Sequence, residues 1–355
     1  MHRTKQYLLF ALILILVLAG CGRPGESDGK AADAGNRELP ISENYFIFDT
    51  LVSVRVYDAA MTPAHFAEIE ELLHAIDRQM NRQLEGSELD RVNKQAGKEA
   101  VLVSEQTYHV IETALRYAEA SGGKFEPTIG PLVDLWGIGQ EGASVPAFDE
   151  IEEAMTRIDY RQVELDPKAR TIKLLSPGMS LDLGAIAKGY AADVIAEYLQ
   201  SQGFKSAIID LGGNILAMGA KPNGSAWTVG IQDPSENRGE HIGLIRVTDK
   251  TIVTSGVYER YFIEDGAAYH HIFDLDTGYP VNNGLLSVTI VTDRSIDADA
   301  MSTTIFSLGL EQGLAFVEAR EGTDALFITT DGLVYTSPGL RGSLEMTDES
   351  YRLVE

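Results

Sequence analysis

The spacing of apolar residues predicts a strand followed by a long amphipathic helix at the start of the folded chain. From Val52 onward, residues 45–57 alternate between apolar and polar types, as the residues of a half-buried strand do. Thr62 and Pro63 are typical of a helix start, and the apolar residues behind them recur at helical spacing: Phe66, Ile69, Leu72, Leu73, Ile76 and Met80.

The rest of the chain predicts further helices and many short strands. Helices are predicted at 104–121, 148–156, 184–200, 297–308 and 310–320. Short β-type runs lie at 162–166, 170–175, 206–210, 226–232, 243–247, 251–254, 259–263, 268–274 and 285–292, with a closing strand pair near 325–336. Because the strands cluster instead of alternating with helices, we expect an α+β fold with a mostly antiparallel sheet and flanking helices. Residues 41–355 contain no linker-like stretch before residue 340, which favours one compact unit.

Composition narrows the classes of partner. The chain has 29 Lys and Arg against 53 Asp and Glu, a formal net charge of −24. This acid excess argues against binding to nucleic acid, because a polyanion would be repelled. An anionic substrate must therefore be held by a local device, such as a metal ion or a helix N-terminus. The single cysteine, Cys21, excludes an internal disulfide and a cysteine-based zinc site.

The first 40 residues are typical of an exported lipoprotein. Residues 1–20 contain two basic residues, an apolar run too short to span a membrane comfortably, and small residues just before Cys21. We interpret 1–20 as a lipoprotein signal peptide, Cys21 as the lipidated residue and 21–40 as a flexible tether. The expected location is the exported face of a bacterial cytoplasmic membrane. An uncleaved anchor with an incidental cysteine is the alternative.

A turn between a strand-like stretch and a helix, at residues 181–190, is typical of an anion site. Gly184 ends the stretch and Lys188 lies in the first turn of the predicted helix, so backbone N–H groups and an ammonium can converge on one anion. This is not a Walker A loop, because Lys188 precedes Gly189 and Tyr190 follows. The structural alternative is that the glycines let a helix and a strand pack closely.

Two other glycine-containing segments permit close approach of backbone to a ligand. In residues 125–137, prolines and glycines surround Glu126 and Thr128, which predicts a rigid loop, although many such loops are only turns. Residues 209–214 predict a strand that ends in a Gly-Gly turn, which allows either a bulge or contact with a ligand.

Two pairs of side chains are candidates for chemistry. His270 and His271 are adjacent on a predicted strand and so point to opposite faces; one is a candidate base or phosphate ligand, and the other is structural. Asp299 and Thr303 are four residues apart on a predicted helix and so share a face. Their oxygens suit a hard cation such as Mg²⁺, although an acidic residue in a first turn also favours the helix dipole.

In this order, the segments resemble those of the ApbE-type FAD:protein FMN transferases, flavin-handling lipoproteins once labelled thiamine-biosynthesis proteins. The resemblance extends from Phe48 to about Gly309 and rests on seven segments: FEPTIGPLVDLWG, LDLGAIAKGYAAD, IDLGGN, WTVGIQDP, SGVYERYF, YHHIFDLDTGYP and DADAMSTTIFSLG. It implies an ApbE-like, T-fold-like catalytic unit over residues 41–355.

The resemblance also implies ligands. The family's Mg²⁺ ligands fall on the carbonyl of Ala185 and the side chains of Asp299 and Thr303. Contacts to FAD fall on Phe48, Glu126, Pro127, Thr128, Asp182, Lys188 and Ile272, the last beside His271. Two positions depart from the family pattern: Gln83 stands where an aromatic contact is usual, and Phe48-Asp49-Thr50 where a Met-Gly-Thr-like triplet is common.

The implied reaction moves FMN from FAD, the substrate, to a Ser/Thr hydroxyl in a flavinylation motif of an exported or membrane redox protein, and AMP leaves. We predict that His271 is the base that assists the hydroxyl, with His270 as the alternate. Two other functions are compatible with the same residues. One is a Mg²⁺-dependent FAD pyrophosphatase, in which water replaces the hydroxyl, and the other is a lipoprotein that only binds flavin.

Overall fold

The computed structural model describes residues 39–236 and 239–354. Its helices are α1 (Pro63–Met80), α2 (Glu88–Lys94), α3 (Glu105–Ala120), α4 (Gly130–Trp136), α5 (Phe148–Met155), α6 (Ala187–Ser201) and α7 (Ser295–Glu318). Its strands are β1 (Ile41–Ile47), β2 (Thr50–Val56), β3 (Val101–Leu102), β4 (Val163–Asp166), β5 (Thr171–Leu174), β6 (Ala207–Leu211), β7 (Asn214–Met218), β8 (Trp227–Gln232), β9 (His241–Val247), β10 (Lys250–Gly256), β11 (Tyr261–Glu264), β12 (Ala267–His270), β13 (Leu285–Thr292), β14 (Asp324–Thr329), β15 (Leu333–Thr336), β16 (Leu344–Met346) and β17 (Arg352–Leu353).

The predicted signal segment, Cys21 and the predicted tether up to residue 38 lie outside the described residues. No helix of the described ranges is both long and apolar enough to cross a membrane.

A nine-stranded sheet organises the fold, in the order β1-β2-β6-β7-β10-β13-β14-β15-β17. Every neighbouring pair in it is antiparallel except β15 and β17, which are parallel. Smaller sheets are formed by β16-β9-β8, β3-β5-β4 and β11-β12. The predicted α+β fold with a mostly antiparallel sheet is therefore confirmed.

Helices cover one face of the large sheet, and the β8-β9-β16 sheet packs on the other. Neighbouring residues of β10 demonstrate the two layers, because side chains alternate across a strand. Val253 packs in an apolar cluster with α7, β13 and β14, whereas Ile252 packs with residues of β8 and β9. Helices α1, α3 and α6 share a further cluster with β1, β2 and β6. The layering fixes α6 and α7 side by side on the sheet.

The strand predicted over 45–57 is wrong in one respect, because it is a hairpin of β1 and β2. Phe48 and Asp49 form the turn, and both have φ near 55°, in the left-handed region. Such turns favour Gly or Asn, so a Phe-Asp turn carries little sequence signal. Phe48 packs against the core cluster, which helps hold the turn.

The helical predictions agree with the structure where the apolar period is long. The helices predicted at 62–80 and 104–121 correspond to α1 and α3, and α6 begins at Ala187, three residues after the predicted start. The predicted helices at 297–308 and 310–320 are the two halves of α7, which meet at a kink where Gly309 has φ 79° and ψ 179°. The seven-residue helices α2 and α4 were not predicted, because so few residues show no clear period.

Candidate active site

A cavity of about 500 Å³ opens where the β1-β2 turn, the start of α6, α7 and the loop after β12 meet. Most of the residues that the sequence singled out line it: Glu126, Asp182, Ala185, Lys188, His271, Ile272, Asp299 and Thr303. Four others do not line it: Phe48, Pro127, Thr128 and His270. Its size falls within the range of small-molecule sites.

The loop at Glu126 has its polar groups bonded within the protein. Oε1 of Glu126 accepts the backbone N–H of Thr128 at 2.8 Å and its hydroxyl at 2.7 Å, and Oε2 accepts the N–H of Tyr160 at 3.0 Å. The Thr128 hydroxyl in turn accepts the N–H of Asp159 at 2.9 Å. Burial raises the pKa of the Glu126 carboxyl above its ordinary value. These side chains therefore hold the loop together.

The same loop also fixes the segment that leads into α6. The carbonyl of Pro127 accepts the backbone N–H of Asp182 at 2.8 Å. The Asp182 carboxylate then accepts the N–H of Gly184 at 2.8 Å, which closes the turn before the helix. Arg82 lies beside this turn, with its Nε 3.6 Å from Asp182 Oδ2 and its guanidinium bonded to Asp134 at 2.6 and 2.8 Å.

The first turn of α6 contacts Asp299 of α7 directly. The backbone N–H of Gly189, the third residue of α6, has no acceptor inside a helix that begins at Ala187, and it donates to Asp299 Oδ2 at 2.9 Å. The Ala185 carbonyl is thus outside the helical hydrogen-bond ladder, at the wall of the cavity. The Lys188 ammonium lies 3.1 Å from the Gly184 carbonyl and 3.6 Å from Asp299 Oδ1.

Gly189 is required for this contact. A Cβ at this position would lie 2.2 Å from the Ser295 carbonyl oxygen and 2.8 Å from the Asp299 Cβ, so any side chain would force α6 and α7 apart. Gly189 therefore allows two helices to pack closely, rather than the predicted helix and strand, and Lys188 and Asp299 beside it line the cavity.

The residues implied as Mg²⁺ ligands fit a hard cation. Ala185 offers a carbonyl, Asp299 a carboxylate and Thr303 a hydroxyl, and all three residues line the cavity. Within residues 39–236 and 239–354, the Thr303 hydroxyl has no hydrogen-bond partner. No group of three His, Cys, Asp or Glu side chains suited to a metal occurs in those ranges. Since these three residues offer three oxygen ligands, only one of them a carboxylate, an ion here would also need oxygens from water or from the substrate.

The two histidines have different surroundings. His270 is buried at the end of β12, with Nε2 2.9 Å from the Val281 carbonyl and Nδ1 accepting the N–H of Ile272 at 3.2 Å. His271 follows the strand and lines the cavity, and its Nδ1 lies 3.2 Å from the carbonyl of Arg260. A carbonyl can only accept, so this nitrogen carries the proton and Nε2 is left as the basic nitrogen. Burial lowers the pKa of His271 to about 4, so the ring is neutral near pH 7.

Several cavity residues were not singled out by the sequence. Arg260 and Asn214 stand within SGVYERYF and IDLGGN, so the motifs contained them but gave them no role. Phe46 and Leu51 face each other across the β1-β2 hairpin and are 79% and 57% exposed at the cavity. They provide an apolar surface there, whereas Gln83 is exposed and does not line the cavity.

Comparison with known proteins gives a consistent result. The sequence profile described as "ApbE family" matches residues 48–327. A Treponema pallidum protein named "FAD:protein FMN transferase" is 39% identical over 357 residues, covering 96% of each chain. A Vibrio cholerae protein of the same name is 33% identical and covers 91% of this chain and 94% of its own length.

Solved structures resemble the fold over most of the chain. The ApbE protein of Thermotoga maritima superposes with a TM-score of 0.79 at 33% identity, covering 86% of this chain and 99% of that one. The structure named "Flavin Transferase ApbE from Vibrio cholerae" gives a TM-score of 0.77 at 30% identity, with the same coverage.

Proposed function

The chain belongs to the ApbE family, and on that premise we propose that it transfers FMN from FAD to a Ser or Thr hydroxyl of a partner protein and releases AMP. The observation that carries the proposal is the set of polar groups facing one cavity: the Ala185 carbonyl, the Lys188 ammonium, the Asp299 carboxylate, the Thr303 hydroxyl and the basic nitrogen of His271. This set suits a diphosphate, a cation and a hydroxyl that must lose its proton.

The start of α6 is proposed to bind the FAD diphosphate. Lys188 supplies a positive charge, and the first turn of α6 adds the positive end of the helix dipole. This local charge explains how a protein with a net charge of −24 attracts an anionic substrate. The flavin end is proposed to contact the apolar residues at the cavity, Phe46 and Leu51, in place of the aromatic contact absent at Gln83.

Ala185, Asp299 and Thr303 are proposed to hold Mg²⁺. When bound, the ion supplies neutralising charge to the diphosphate and stabilises the leaving phosphate of AMP. Asp299 is well placed for this because its second oxygen is fixed by the Gly189 N–H at 2.9 Å, so the carboxylate is held in one orientation. The Lys188 ammonium, 3.6 Å from Oδ1, balances its charge until substrate arrives.

His271 is proposed to be the base. Its Nε2 takes the proton of the attacking hydroxyl, whose oxygen forms a bond to the FMN-side phosphorus while the bond from that phosphorus to the AMP phosphate oxygen breaks. The Arg260 carbonyl fixes the tautomer that makes Nε2 basic. His270 is not retained as the alternate base, because both of its nitrogens are bonded and it lies outside the cavity lining.

The decisive experiment uses mass spectrometry of an acceptor after incubation with FAD and Mg²⁺. A transferase adds the mass of one FMN to the acceptor and releases AMP in equal amount. A pyrophosphatase forms free FMN and AMP without the acceptor, and a flavin-binding protein retains FAD without forming AMP. The variant His271→Ala should retain FAD but transfer FMN at least about a hundredfold more slowly, the lower end of the usual contribution of a general base.

We also propose that the protein is anchored to the exported face of the bacterial cytoplasmic membrane by lipid on Cys21. The support is the signal-like segment before Cys21 and the polar stretch behind it. The variant Cys21→Ala should lose the lipid and its processing at this site. A diacylglycerol-modified N-terminus on that variant, found by mass spectrometry, would contradict the proposal.

A further inference from the structure

The cavity wall contains a buried hydrogen-bond donor without a partner among residues 39–236 and 239–354. Asn214 is the first residue of β7, directly after the Gly212-Gly213 turn, and it is only 2% exposed. Its carboxamide oxygen accepts the hydroxyl of Ser295 at 2.6 Å. Among the described residues, none accepts a hydrogen bond from its Nδ2.

A buried donor without a hydrogen-bond partner destabilises the folded protein unless another group accepts its hydrogen bond. Leaving one buried polar group unsatisfied costs about 1–3 kcal/mol, and native proteins contain only a few. Two other buried side-chain atoms of the described residues, Arg82 Nε and Ser287 Oγ, also lack a hydrogen-bond partner, but neither residue lines the cavity. Asn214 does line it, so of these three donors and acceptors only its Nδ2 belongs to a residue of the cavity wall.

The network behind Asn214 fixes the direction of its amide. Ser295 gives its single hydroxyl proton to Asn214 and accepts the hydroxyl of Thr251 at 3.1 Å. The backbone N–H of Ser295 is itself held by Asp193 at 2.8 Å. Because the amide oxygen of Asn214 is held by the Ser295 hydroxyl, the NH₂ group of the amide is directed away from Ser295.

The position of Asn214 determines the kind of acceptor. Ser295 begins α7 one turn before Asp299, and Gly189 of α6 packs against both residues. Asn214 therefore lies at the same junction of α6 and α7 as the proposed diphosphate site. An amide NH₂ is a donor without charge, so it bonds an anionic oxygen without disturbing the ion pair of Lys188 and Asp299.

We propose that Asn214 is a substrate-binding residue, whose Nδ2 donates to a phosphate oxygen of the FAD diphosphate. This inference rests on the proposed function, because it takes FAD as the ligand. It gives the IDLGGN segment a chemical role: the Gly-Gly turn brings the first residue of β7 to the floor of the cavity, where its amide adds a neutral contact to the charged ones.

The test compares two variants that lose the same internal bond. Asn214→Ala and Ser295→Ala both remove the hydrogen bond between these residues, but only Asn214→Ala removes the donor that faces the cavity. Calorimetric titration of the full chain with FAD should show affinity about ten- to a hundredfold weaker for Asn214→Ala, and a clearly smaller loss for Ser295→Ala, which keeps the donor but no longer fixes the direction of the amide. ADP, which has the diphosphate without the flavin, should behave as FAD does, and riboflavin should bind all proteins equally.

Other outcomes overturn the inference. Equal losses in both variants would mean that the network only supports the fold. If Asn214→Ala binds FAD more weakly but ADP as wild type does, Asn214 contacts the flavin part of FAD and not the diphosphate. If the variant changes only the binding of Mg²⁺ measured without nucleotide, Asn214 bonds a water molecule on the ion. If Asn214→Ala is unfolded by circular dichroism, Asn214→Asp replaces it, since it keeps an acceptor for Ser295 but repels phosphate. Failure of wild type to bind FAD would instead reject the proposed function.

Discussion

The loop at 126–128 and the junction of α6 with α7 both contain a carboxylate and a threonine, yet they use them differently. Glu126 and Thr128 bond each other and the backbone around them, and Thr128 is fully buried. At the junction, the Thr303 hydroxyl and the Ala185 carbonyl face the cavity without such partners among the described residues. The difference supports the proposal that the junction binds the ligand, because it offers polar groups without partners, whereas the polar groups of the loop support the fold.

The largest expected effect is at Asp299. Asp299→Asn keeps an oxygen for the Gly189 N–H but removes the charge that attracts Mg²⁺, so FMN transfer should fall at least about a hundredfold. Excess Mg²⁺ should restore part of the activity, because the defect lies in ion binding. Transfer is measured against Mg²⁺ concentration.

Asp297→Asn is the matched control for this prediction. Asp297 lies on the same helix, bonds the Tyr117 hydroxyl at 2.9 Å and does not line the cavity. The dependence of FMN transfer on Mg²⁺ concentration should be the same for Asp297→Asn as for wild type, once any loss of stability is taken into account. Superimposable curves for wild type and Asp299→Asn would reject the metal site.

The next effect concerns Lys188. Lys188→Met removes the proposed charged contact to phosphate, worth about 1.5–3 kcal/mol, so FAD should bind roughly ten- to a hundredfold more weakly. Mg²⁺ binding without FAD should not weaken, because the variant also removes the cation 3.6 Å from Asp299 Oδ1. Lys94→Met is the control, since Lys94 pairs with Asp90 at 2.8 Å outside the cavity lining. Unchanged FAD affinity in calorimetry would place the phosphate elsewhere.

The same substitution, Thr to Val, made once in the loop and once at the junction, tests the comparison between these two regions. Thr128→Val loses the bonds to Glu126 and Asp159, so the free energy of unfolding in urea should fall by about 1–3 kcal/mol. Thr303→Val removes a hydroxyl with no partner among the described residues, so stability should change little while Mg²⁺ binds more weakly. If Thr128→Val instead weakens FAD binding as strongly as Lys188→Met does, the loop is part of the binding site.

The parts of the fold that follow from local pattern were predictable. Long apolar periods gave α1 and α3, and clustering of short strands gave the antiparallel sheet. The β1-β2 turn was missed because Phe48 and Asp49 are not the residues that normally mark φ above zero. Tertiary packing, including the core contacts of Phe48, decides that turn.

For the candidate site, too, local sequence pattern predicts only what does not depend on tertiary packing. The spacing of Asp299 and Thr303 predicts their shared helix face, and both line the cavity. Whether a polar group is already bonded depends on residues distant in sequence, such as Asp159 for Thr128 and Ser295 for Asn214. No local pattern contains that information, so the internal role of Thr128 and the open donor of Asn214 emerge only from the three-dimensional arrangement.

The smallest effect is a shift in pH dependence. Burial lowers the pKa of His271 from 6.5 to about 4, so Nε2 is free to accept a proton above about pH 4. The rate of transfer at low FAD concentration should therefore stay nearly constant from pH 8 to about 5 and fall near pH 4. The unfolded chain takes up this proton near 6.5, so the contribution of His271 to stability is present above that pH and is lost as the pH falls from about 6.5 to about 4. A decline in transfer centred near pH 6.5, with the protein still folded by circular dichroism, would mean that His271 is not the base or is not buried when FAD is bound.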